Sequence, residues 1–377
     1  MPDISDTFCI MPFKEIYSST KGRYRLCCHA ETSQIKVEDH TPFDYFSSDH
    51  MKDTRLKFLS NEKPKECNVC WKMEERKSKS WRQIYNERAG TKYKDIKISL
   101  KLQGIGTNFC NLACYMCHPT NSNTKTNEIK DIFTYDEIDK VWGNEEATKV
   151  NFKRYNEIVE NILKNIHHVD IIRLLGGEPL QLPKHWELLE RIPDNAAKNI
   201  MISYDTNLTN LTWKNYNLDW VKKKFKEVWL GISCDHFGEK LKYIRYPIDV
   251  EKFEKNLKKI KDDNYKHRMH VTVGILNIQD LHEIKKYYND KGMTVGFNNI
   301  VSSPKIFSIC NLPQKMKNYY LKKYHDETPI VSELLKPAHK DNGYKEAFTY
   351  LDVLFKHRKL QWREVWSDLI KEIKSYE

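Results

Sequence analysis

The sequence predicts an α/β fold built on a parallel sheet that is either open or curled into a partial barrel. Short runs of almost continuously apolar residues recur from about residue 96, each of the length that a buried parallel strand needs. Helical patterns lie between these runs, since Tyr155, Ile158 and Ile162 recur at spacings of three and four. A chain of 377 residues also allows two or three domains rather than one small module.

Six strands are expected in this series: Ile96–Gln103, Val169–Leu175, Asn199–Tyr204, Val228–Ser233, His270–Leu276 and Thr294–Asn298. Their alternation with helices predicts six β/α units, because a helix that crosses back over a sheet delivers the next strand parallel to the last. We expect these units to form one domain over residues 93–300.

Residues 1–92 lack this alternation. They are irregular, rich in cysteine and interrupted by Gly22, Pro42 and Pro64. A segment with so little periodic apolar sequence cannot bury enough surface by itself, so we expect a separate domain that depends on bound metal.

Residues 301–377 are predicted to form a C-terminal helical extension. Tyr344–Phe355 and Trp362–Ile373 each repeat apolar residues at helical spacing along one side, as an amphipathic helix does.

Composition and charge exclude several classes of protein. Hydrophobic residues make up 40% and charged residues 31% of the chain, which excludes a disordered or fibrous chain. No apolar run approaches the ~20 residues of a membrane span, and no export signal opens the sequence, so we expect a cytoplasmic protein without membrane contact. The net charge is +11, but the lysines are spread along the chain, which favours a solvated basic surface over a nucleic-acid site.

Ten cysteines carry more information than the charge: Cys9, Cys27, Cys28, Cys67, Cys70, Cys110, Cys114, Cys117, Cys234 and Cys310. Eight of them lie in the first third of the chain. In a reducing compartment, clustered cysteines indicate metal binding or catalysis rather than disulfides. Cys234 and Cys310 stand apart, and no pattern assigns them a role.

Cys110, Cys114 and Cys117 form a C-x-x-x-C-x-x-C loop after the first strand of the series. Three thiolates on one short loop can hold three corners of a 4Fe–4S cubane, which leaves the fourth iron open to a substrate or cofactor. Three alternatives stay open at this point: a c-type haem on the C-x-x-C-H spacing that ends at His118, a structural zinc held by the loop and His118, and three core cysteines without a ligand.

A second motif follows the second strand, where Gly176-Gly177-Glu178-Pro179 comes directly after Leu175. Glycines let the backbone approach a ligand closely. Because α/β folds bind ligands at the carboxyl ends of their parallel strands, the cysteine loop and the glycine turn are expected on the same face.

The cysteine loop and the glycine turn, in this order, resemble the radical S-adenosylmethionine (SAM) superfamily over about residues 96–300. The resemblance implies a partial (β/α)6 TIM barrel and a 4Fe–4S cluster on Cys110, Cys114 and Cys117, with SAM on the open iron. It also implies an enzyme. An electron from a reductant such as flavodoxin or ferredoxin splits SAM, and the resulting 5′-deoxyadenosyl radical abstracts hydrogen from a substrate.

The same resemblance implies a set of SAM-binding residues: Gly176, Gly177, Glu178, Asn207, Ser233 and Arg245. The glycine turn with Glu178 would meet the amino group of SAM, and Ser233 would approach its ribose or carboxylate. Arg245 would pair with the carboxylate, to which a guanidinium is matched in geometry. Asn207 corresponds to a polar position common in the family. The alternative for each is ordinary polarity at a strand end.

The N-terminal cysteines resemble an auxiliary-cluster module of the twitch or SPASM type. Cys9 opens the segment, a hairpin-like turn at Gly22 leads to Cys27 and Cys28, and a C-x-x-C pair closes it. The resemblance implies an auxiliary iron–sulfur cluster, expected to be 4Fe–4S, on Cys9, Cys27, Cys67 and Cys70. Cys28 is a substitute for Cys27, and a zinc ion on the same thiolates is the alternative. Such modules usually follow the barrel, whereas this one precedes it.

The auxiliary module also suggests a substrate, because similar modules occur in enzymes that modify peptides or protein side chains. The expected partners are therefore SAM, a reductant and a peptide or protein. Two alternatives stay open: an RNA-modifying, methylthiotransferase-like radical SAM enzyme, and a non-enzymatic zinc-stabilised binding protein. A nucleic-acid partner is not favoured.

Overall fold

The computed structural model describes residues 5–31, 35–90, 92–94, 96–104, 107–143, 154–340 and 343–376. The chain forms two compact units. The first comprises residues 1–108, 150–205 and 212–229, and the second comprises residues 109–149, 206–211 and 230–377.

The strands of the described residues are β1 (Glu15–Ser18), β2 (Tyr24–Arg25), β3 (Ile98–Gln103), β4 (Val169–Leu175), β5 (Met201–Thr206), β6 (Thr212–Trp213), β7 (Tyr216–Asn217), β8 (Glu227–Ser233), β9 (Lys266–Val273) and β10 (Val295–Ile300). All six strands of the predicted series are present, as β3, β4, β5, β8, β9 and β10. The α/β class with a mostly parallel sheet is therefore confirmed.

The helices of the first half of the chain are α1 (Met11–Lys14), α2 (Pro42–Ser47), α3 (Asp49–Leu59), α4 (Asn68–Glu75), α5 (Trp81–Ala89), α6 (Asn123–Ile132), α7 (Tyr135–Trp142), α8 (Tyr155–Lys164) and α9 (Pro183–Arg191). Those of the second half are α10 (Asp194–Ala197), α11 (Leu218–Lys224), α12 (Gly238–Ile244), α13 (Val250–Asp262), α14 (Leu281–Asp290), α15 (Gln314–Lys323), α16 (Thr328–Leu334), α17 (Gly343–His357), α18 (Trp362–Val365) and α19 (Ser367–Ser375). No helix in the described ranges has the length and apolar composition needed to cross a membrane.

In the first unit, the strands form a sheet in the order β2-β1-β3-β4-β5. β3, β4 and β5 are parallel, and β1 adds to β3 as a further parallel strand. The sequence did not predict β1, because four residues of mixed polarity are too short to show a strand pattern. Residues 1–92 therefore contribute a strand to the sheet as well as the helices α1 to α5.

The hairpin-like turn at Gly22 is confirmed. β1 pairs antiparallel with β2, with Tyr17 opposite Arg25, and Gly22 donates its N–H to the Ser19 carbonyl at 3.0 Å. Gly22 has a φ of +66°, in the left-handed region that favours glycine. The hairpin brings Cys27 back toward the start of the chain.

The second unit contains the parallel pair of β9 and β10. The predicted strand His270–Leu276 ends earlier than expected, at Val273, because the Gly274 N–H donates to the Asn277 side chain at 2.9 Å and turns the chain out of the sheet.

The C-terminal helices differ from the prediction in one respect. The predicted helix Tyr344–Phe355 is α17, but Trp362–Ile373 is divided into α18 and α19. The break falls at Trp366, whose indole N–H donates to the Leu276 carbonyl at 2.6 Å. The buried indole thus fixes the chain where two helices meet.

Candidate active site

The three-cysteine loop lies in the second unit and is held by its backbone. The N–H of Ala113 donates to the Tyr246 carbonyl at 2.6 Å, and the N–H of Tyr115 donates to the Ile244 carbonyl at 3.1 Å. The N–H of Cys110 donates to Oδ1 of Asn123, the first residue of α6, at 2.9 Å. The loop is therefore fixed at several points before any ligand binds.

The thiols of this loop are enclosed. Cys110 and Cys114 are buried and Cys117 is half-buried. Burial raises the pKa of Cys114, and burial together with the Cys114 thiol raises the pKa of Cys117 to about 12. Cys114 and Cys117 are thus protonated at neutral pH without metal, and a metal must displace their protons to bind.

Two nitrogen donors face these thiols. Asn207 Nδ2 lies 3.8 Å from Cys110 Sγ, and Arg245 Nη1 lies 4.0 Å from Cys114 Sγ. Donors to cysteine sulfur stabilise the thiolate form and tune the potential of an iron–sulfur centre. Both residues are among those predicted to contact SAM, and the structure places both beside the cysteine loop.

Each of these two residues also has a protein partner. Asn207 Nδ2 donates to Asn111 Oδ1 at 3.0 Å, and Arg245 Nη2 lies 2.8 Å from Asp235 Oδ2. Within the described chain, Arg245 Nε has no hydrogen-bond partner. Ser233 ends β8 and is half-buried.

A buried charge network that the sequence reasoning missed lies against the same loop. Lys125 Nζ is 3.2 Å from Glu128 Oε2, and Arg358 Nε is 2.6 Å from Glu128 Oε1. Arg358 also donates to the Ala113 carbonyl. Burial, assisted by Arg358, lowers the pKa of Lys125 to about 8. No motif could have revealed Arg358, which is remote from the loop in sequence.

The glycine turn lies in the first unit, directly after β4. Gly176 and Gly177 have φ values of +79° and +65°. A Cβ atom on Gly176 would lie 2.5 Å from Gln103 Cγ and 2.8 Å from the Gly104 nitrogen, so only glycine fits. Glu178 is fully buried, and its carboxylate accepts a hydrogen bond from the Leu180 N–H at 3.1 Å.

The N-terminal cysteines meet in the first unit. A narrow cavity is lined by the four cysteines expected as ligands, namely Cys9, Cys27, Cys67 and Cys70. All four are buried. Across the described ranges, no three His, Cys, Asp or Glu side chains are grouped as the ligands of a single metal ion would be. The four thiols therefore line the cavity without lying as close together as the ligands of one metal ion would.

The Cys28 side chain does not line the cavity. Its Sγ lies 3.4 Å from the Tyr85 hydroxyl, and it is absent from the cavity lining. Cys27 lines the cavity, so Cys27 rather than Cys28 faces the other thiols. Burial raises the pKa of Cys9, another of the lining thiols, to about 12, and the nearby Cys70 adds to this effect.

Arg82 organises the wall of this cavity. Its Nε and Nη2 atoms lie 2.7 and 2.8 Å from the two carboxylate oxygens of Glu74, and its Nη1 donates to the Phe8 carbonyl at 3.1 Å. The guanidinium also lies over the Trp71 ring, 4.9 Å from its centroid. One cation thus ties the chain beside Cys9 to the helix that carries Cys70.

The two remaining cysteines are core residues. Cys234 is fully buried, and its N–H donates to the His270 carbonyl at 3.0 Å. Cys310 is also fully buried, and the Ser308 hydroxyl donates to its sulfur at 3.1 Å.

Comparison with known proteins supports the first reading of the cysteine loop. Residues 105–288 match the family model of the Radical SAM superfamily. A relative in Methanocaldococcus jannaschii, the probable GTP 3′,8-cyclase, is 24% identical over 259 residues, which cover 67% of this chain and 70% of the relative. These matches support radical SAM chemistry for residues 105–288 and show that the chain is an enzyme. The alternative of a non-enzymatic, zinc-stabilised binding protein is wrong.

Solved structures show a weaker likeness. Native anSMEcpe with bound AdoMet is 18% identical with a TM-score of 0.43, and the alignment covers 60% of this chain and 59% of that one. Streptococcus suis SuiB bound to S-adenosylmethionine is 13% identical with a TM-score of 0.40, and the alignment covers 86% and 70%. The chain therefore spans less than two thirds of the length of anSMEcpe.

Proposed function

We propose that this enzyme reductively cleaves SAM and uses the resulting 5′-deoxyadenosyl radical to abstract hydrogen from a peptide or protein side chain. The observation that carries the proposal is the enclosed loop of Cys110, Cys114 and half-buried Cys117, which lies within the residues that match the Radical SAM model. The domain would form a partial (β/α)6 TIM barrel, as expected from the order of its motifs.

The donor set of the loop fits a 4Fe–4S cluster with one open iron, because three cysteines leave the fourth corner without a protein ligand. Such a cluster, with SAM bound to it, would pass on the electron that splits SAM. The chain's own contribution is to enclose the thiols and to direct Asn207 and Arg245 at two of the sulfur atoms. Lys125 and Arg358 add positive charge beside an anionic centre.

The same proposal assigns the residues that would bind SAM. Gly176 and Gly177 would let the backbone approach the methionine portion of SAM, and Glu178 would accept from its amino group by a charge-assisted hydrogen bond. Ser233 would meet the ribose or the carboxylate. Arg245 would share its guanidinium between Asp235 and the SAM carboxylate, since its Nε has no acceptor in the described chain.

The N-terminal cavity fits an auxiliary cluster of the twitch or SPASM type. Four cysteines around one space match the ligands of a closed 4Fe–4S cluster, to which Cys9, Cys27, Cys67 and Cys70 would each contribute one thiolate. A closed cluster leaves no iron for a substrate, so its role would be electron transfer or support of the fold. A zinc ion on the same thiolates is the alternative.

The proposed chemistry also suggests the cellular compartment, the reductant and the substrate of the enzyme. Free cysteines that hold iron and sulfide need a reducing compartment, which supports a cytoplasmic location. A flavodoxin or ferredoxin would supply electrons. The peptide assignment is supported by the auxiliary module, while the GTP 3′,8-cyclase relative favours a second candidate, a nucleotide substrate. RNA remains the less favoured substrate.

The test is SAM cleavage by anaerobically reconstituted protein with a strong reductant. We expect 5′-deoxyadenosine and methionine in the absence of substrate, and weaker SAM binding by Glu178→Gln. Fractions of a host extract, split by protease and nuclease treatment, would then be screened for faster 5′-deoxyadenosine formation, with GTP as a separate arm. S-adenosylhomocysteine as the main product would contradict the proposal, because it indicates polar methyl transfer.

A further inference from the structure

The C-terminal extension reaches the three-cysteine loop through Arg358. This residue directly follows α17, whereas the match to the Radical SAM model ends at residue 288. The Arg358 guanidinium donates to the carbonyl of Ala113, which directly precedes Cys114. It also donates to the Tyr243 carbonyl at 3.4 Å, in the helix that leads to the loop's backbone partners. A side chain from outside the matched residues thus supports the backbone beside a proposed cluster ligand.

Arg358 belongs to a network that carries a net positive charge. Both Arg358 and Lys125 contact the Glu128 carboxylate, at 2.6 and 3.2 Å. Burial acts to raise the pKa of Glu128, but its hydrogen bond with Arg358 and the charge of Lys125 outweigh burial and lower the pKa overall. Two cations therefore share one ionised carboxylate, which leaves one positive charge. The ion pair of Arg245 and Asp235 beside the same loop is neutral as a whole and does not cancel it.

The network is closed off from solvent. The side chains of Lys125 and Arg358 are 0% exposed. The Lys125 ammonium lies 5.8 Å from the centroid of the Trp142 ring and 5.9 Å from that of Tyr350, a residue of α17. The Arg358 guanidinium lies over the Tyr246 ring, 4.5 Å from its centroid. A charge surrounded by side chains in this way is screened little by water and acts strongly on its neighbours.

The thiols of the loop are among these neighbours. Burial raises the pKa of Cys114, and the charges of Arg358 and Lys125 oppose that rise. Lys125 has the same opposing effect on the pKa of Cys117. Both cations therefore favour negative charge on the sulfur atoms that would hold a cluster.

We propose that Lys125, Glu128 and Arg358 form a positioning network that fixes the three-cysteine loop and raises the reduction potential of the cluster held there. Arg358 fixes the backbone through the Ala113 carbonyl. The net positive charge favours the reduced cluster, because one-electron reduction adds a negative charge to a centre that three thiolates already make anionic. The electron comes from the reductant, and no covalent bond changes. The inference rests on the proposed function for the presence of the cluster, and it gives the C-terminal extension a part in that function.

The experiment is a redox titration of anaerobically reconstituted full-length protein at neutral pH, followed by electron paramagnetic resonance. The signal of the loop cluster is identified as the one missing from Cys110→Ala/Cys114→Ala/Cys117→Ala, which separates it from any auxiliary cluster without the need for SAM. A second measurement follows the loss of the same signal after an iron chelator is added.

The variants separate charge from positioning. Lys125→Met removes one cation but keeps the contacts of Arg358 with Glu128 and Ala113, so the loop stays supported. Arg358→Met removes a cation together with these contacts, and Arg358→Lys keeps the charge alone. The matched control is Arg363→Met, which removes a half-exposed cation from the same extension.

We expect Lys125→Met and Arg358→Met to shift the loop cluster about tenfold toward its oxidised form, which lowers the midpoint potential by about 59 mV for one electron. Arg358→Lys should keep the potential of wild type. It should nevertheless lose the signal to the chelator about tenfold faster, because a single ammonium cannot replace the paired hydrogen bonds of a guanidinium. Arg363→Met should match wild type in both measurements.

Two results would overturn the inference. A wild-type potential in Lys125→Met would show that the network does not set the charge at the loop. Equal rates of signal loss in wild type and Arg358→Lys would show that Arg358 does not fix it. Absent SAM cleavage in wild type would refute the proposed function instead, while the potentials and chelation rates would still decide the role of the network.

Discussion

Arg245 and Asp235 form a buried ion pair beside the three-cysteine loop, with 2.8 Å between Nη2 and Oδ2 and exposed side-chain fractions of only 9% and 0%. The other oxygen of Asp235 accepts from the Thr272 N–H at 2.7 Å. The same guanidinium reaches the Cys114 sulfur through Nη1. A single carboxylate therefore positions the arginine that faces a proposed cluster ligand.

Loss of this carboxylate should destabilise the enzyme. Asp235→Asn leaves Arg245 buried without a counter-charge, which costs about 3 kcal/mol in the free energy of unfolding. Urea unfolding of purified protein measures the change. Asp262→Asn is the matched control, because Asp262 is exposed and pairs with Lys258 one helical turn away, so its loss should cost no more than about 0.5 kcal/mol. Equal midpoints for the two variants would contradict the expectation.

Iron content tests the three-cysteine loop. Reconstituted wild type should hold about eight irons, the content of two 4Fe–4S clusters, and the triple variant Cys110→Ala/Cys114→Ala/Cys117→Ala should keep about four. Iron and acid-labile sulfide are measured on the same samples. Cys234→Ala is the control, because Cys234 is a core thiol and should leave the count unchanged. Full iron in the triple variant would mean that the loop binds no cluster.

Iron content also tests which of two adjacent cysteines, Cys27 or Cys28, is a ligand in the N-terminal cavity. Cys27→Ala should lose about one cluster's iron, as should Cys67→Ala/Cys70→Ala, because these thiols line the cavity. Cys28→Ala should retain the iron, since its sulfur faces Tyr85. The ligand-deficient variants should also become sensitive to protease within residues 1–92. The reverse result, with iron lost in Cys28→Ala and kept in Cys27→Ala, would reassign the ligand.

Gly176 should tolerate no side chain. Gly176→Ala places a Cβ 2.5 Å from Gln103 Cγ and 2.8 Å from a backbone nitrogen, so the turn must shift and SAM binding should weaken at least about tenfold. Gly143→Ala is the control, because Gly143 also has a positive φ, +86°, but no atom lies within 4 Å of the added Cβ. SAM affinity is measured by equilibrium dialysis. Unchanged affinity in Gly176→Ala would separate this turn from SAM.

His185 makes stability depend on pH. Burial lowers its pKa from the usual 6.5 to about 3, so the folded enzyme keeps a neutral imidazole where the unfolded chain takes up a proton. Its stabilising contribution is present above pH 6.5 and is lost as the pH falls toward 3, by about 1.4 kcal/mol per pH unit. Between pH 7 and 5, wild type should therefore lose about 2 kcal/mol more than His185→Leu in urea unfolding. Parallel losses in both proteins would rule His185 out as the cause.

Strongly apolar elements could be predicted from the sequence, and polar ones could not. β4 was expected at its observed bounds, Val169–Leu175, because its apolar run is flanked by polar residues and a glycine turn. The same run did not indicate that Arg173 pairs with Lys101 of β3, because strand register is not a local pattern. β1 escaped prediction since its four residues gain their burial from β3.

The candidate sites also combine features that the sequence could predict with features that required the structure. Cysteine spacing was enough to propose both groups of thiols, because each group contains a C-x-x-C pair, a spacing common among iron–sulfur ligands. The choice between Cys27 and Cys28 required the structure, since adjacent residues point in different directions from one backbone. The contact of Arg358 with Glu128 joins distant parts of the second unit and leaves no trace in local sequence.

The parallel pairing of β1 with β3 has a consequence for the order of events during synthesis. The β1–β2 hairpin can close as soon as residue 25 has left the ribosome, but the edge of β1 that pairs with β3 must wait until residues 98–103 have emerged. The intervening segment carries Cys27, Cys67 and Cys70, so these thiols leave the ribosome before β1 can pair with β3. Contacts between residues so distant in sequence form slowly. The nascent chain thus passes through a stage in which the proposed cluster ligands are open to an iron–sulfur donor, and to oxygen, before the first unit is finished.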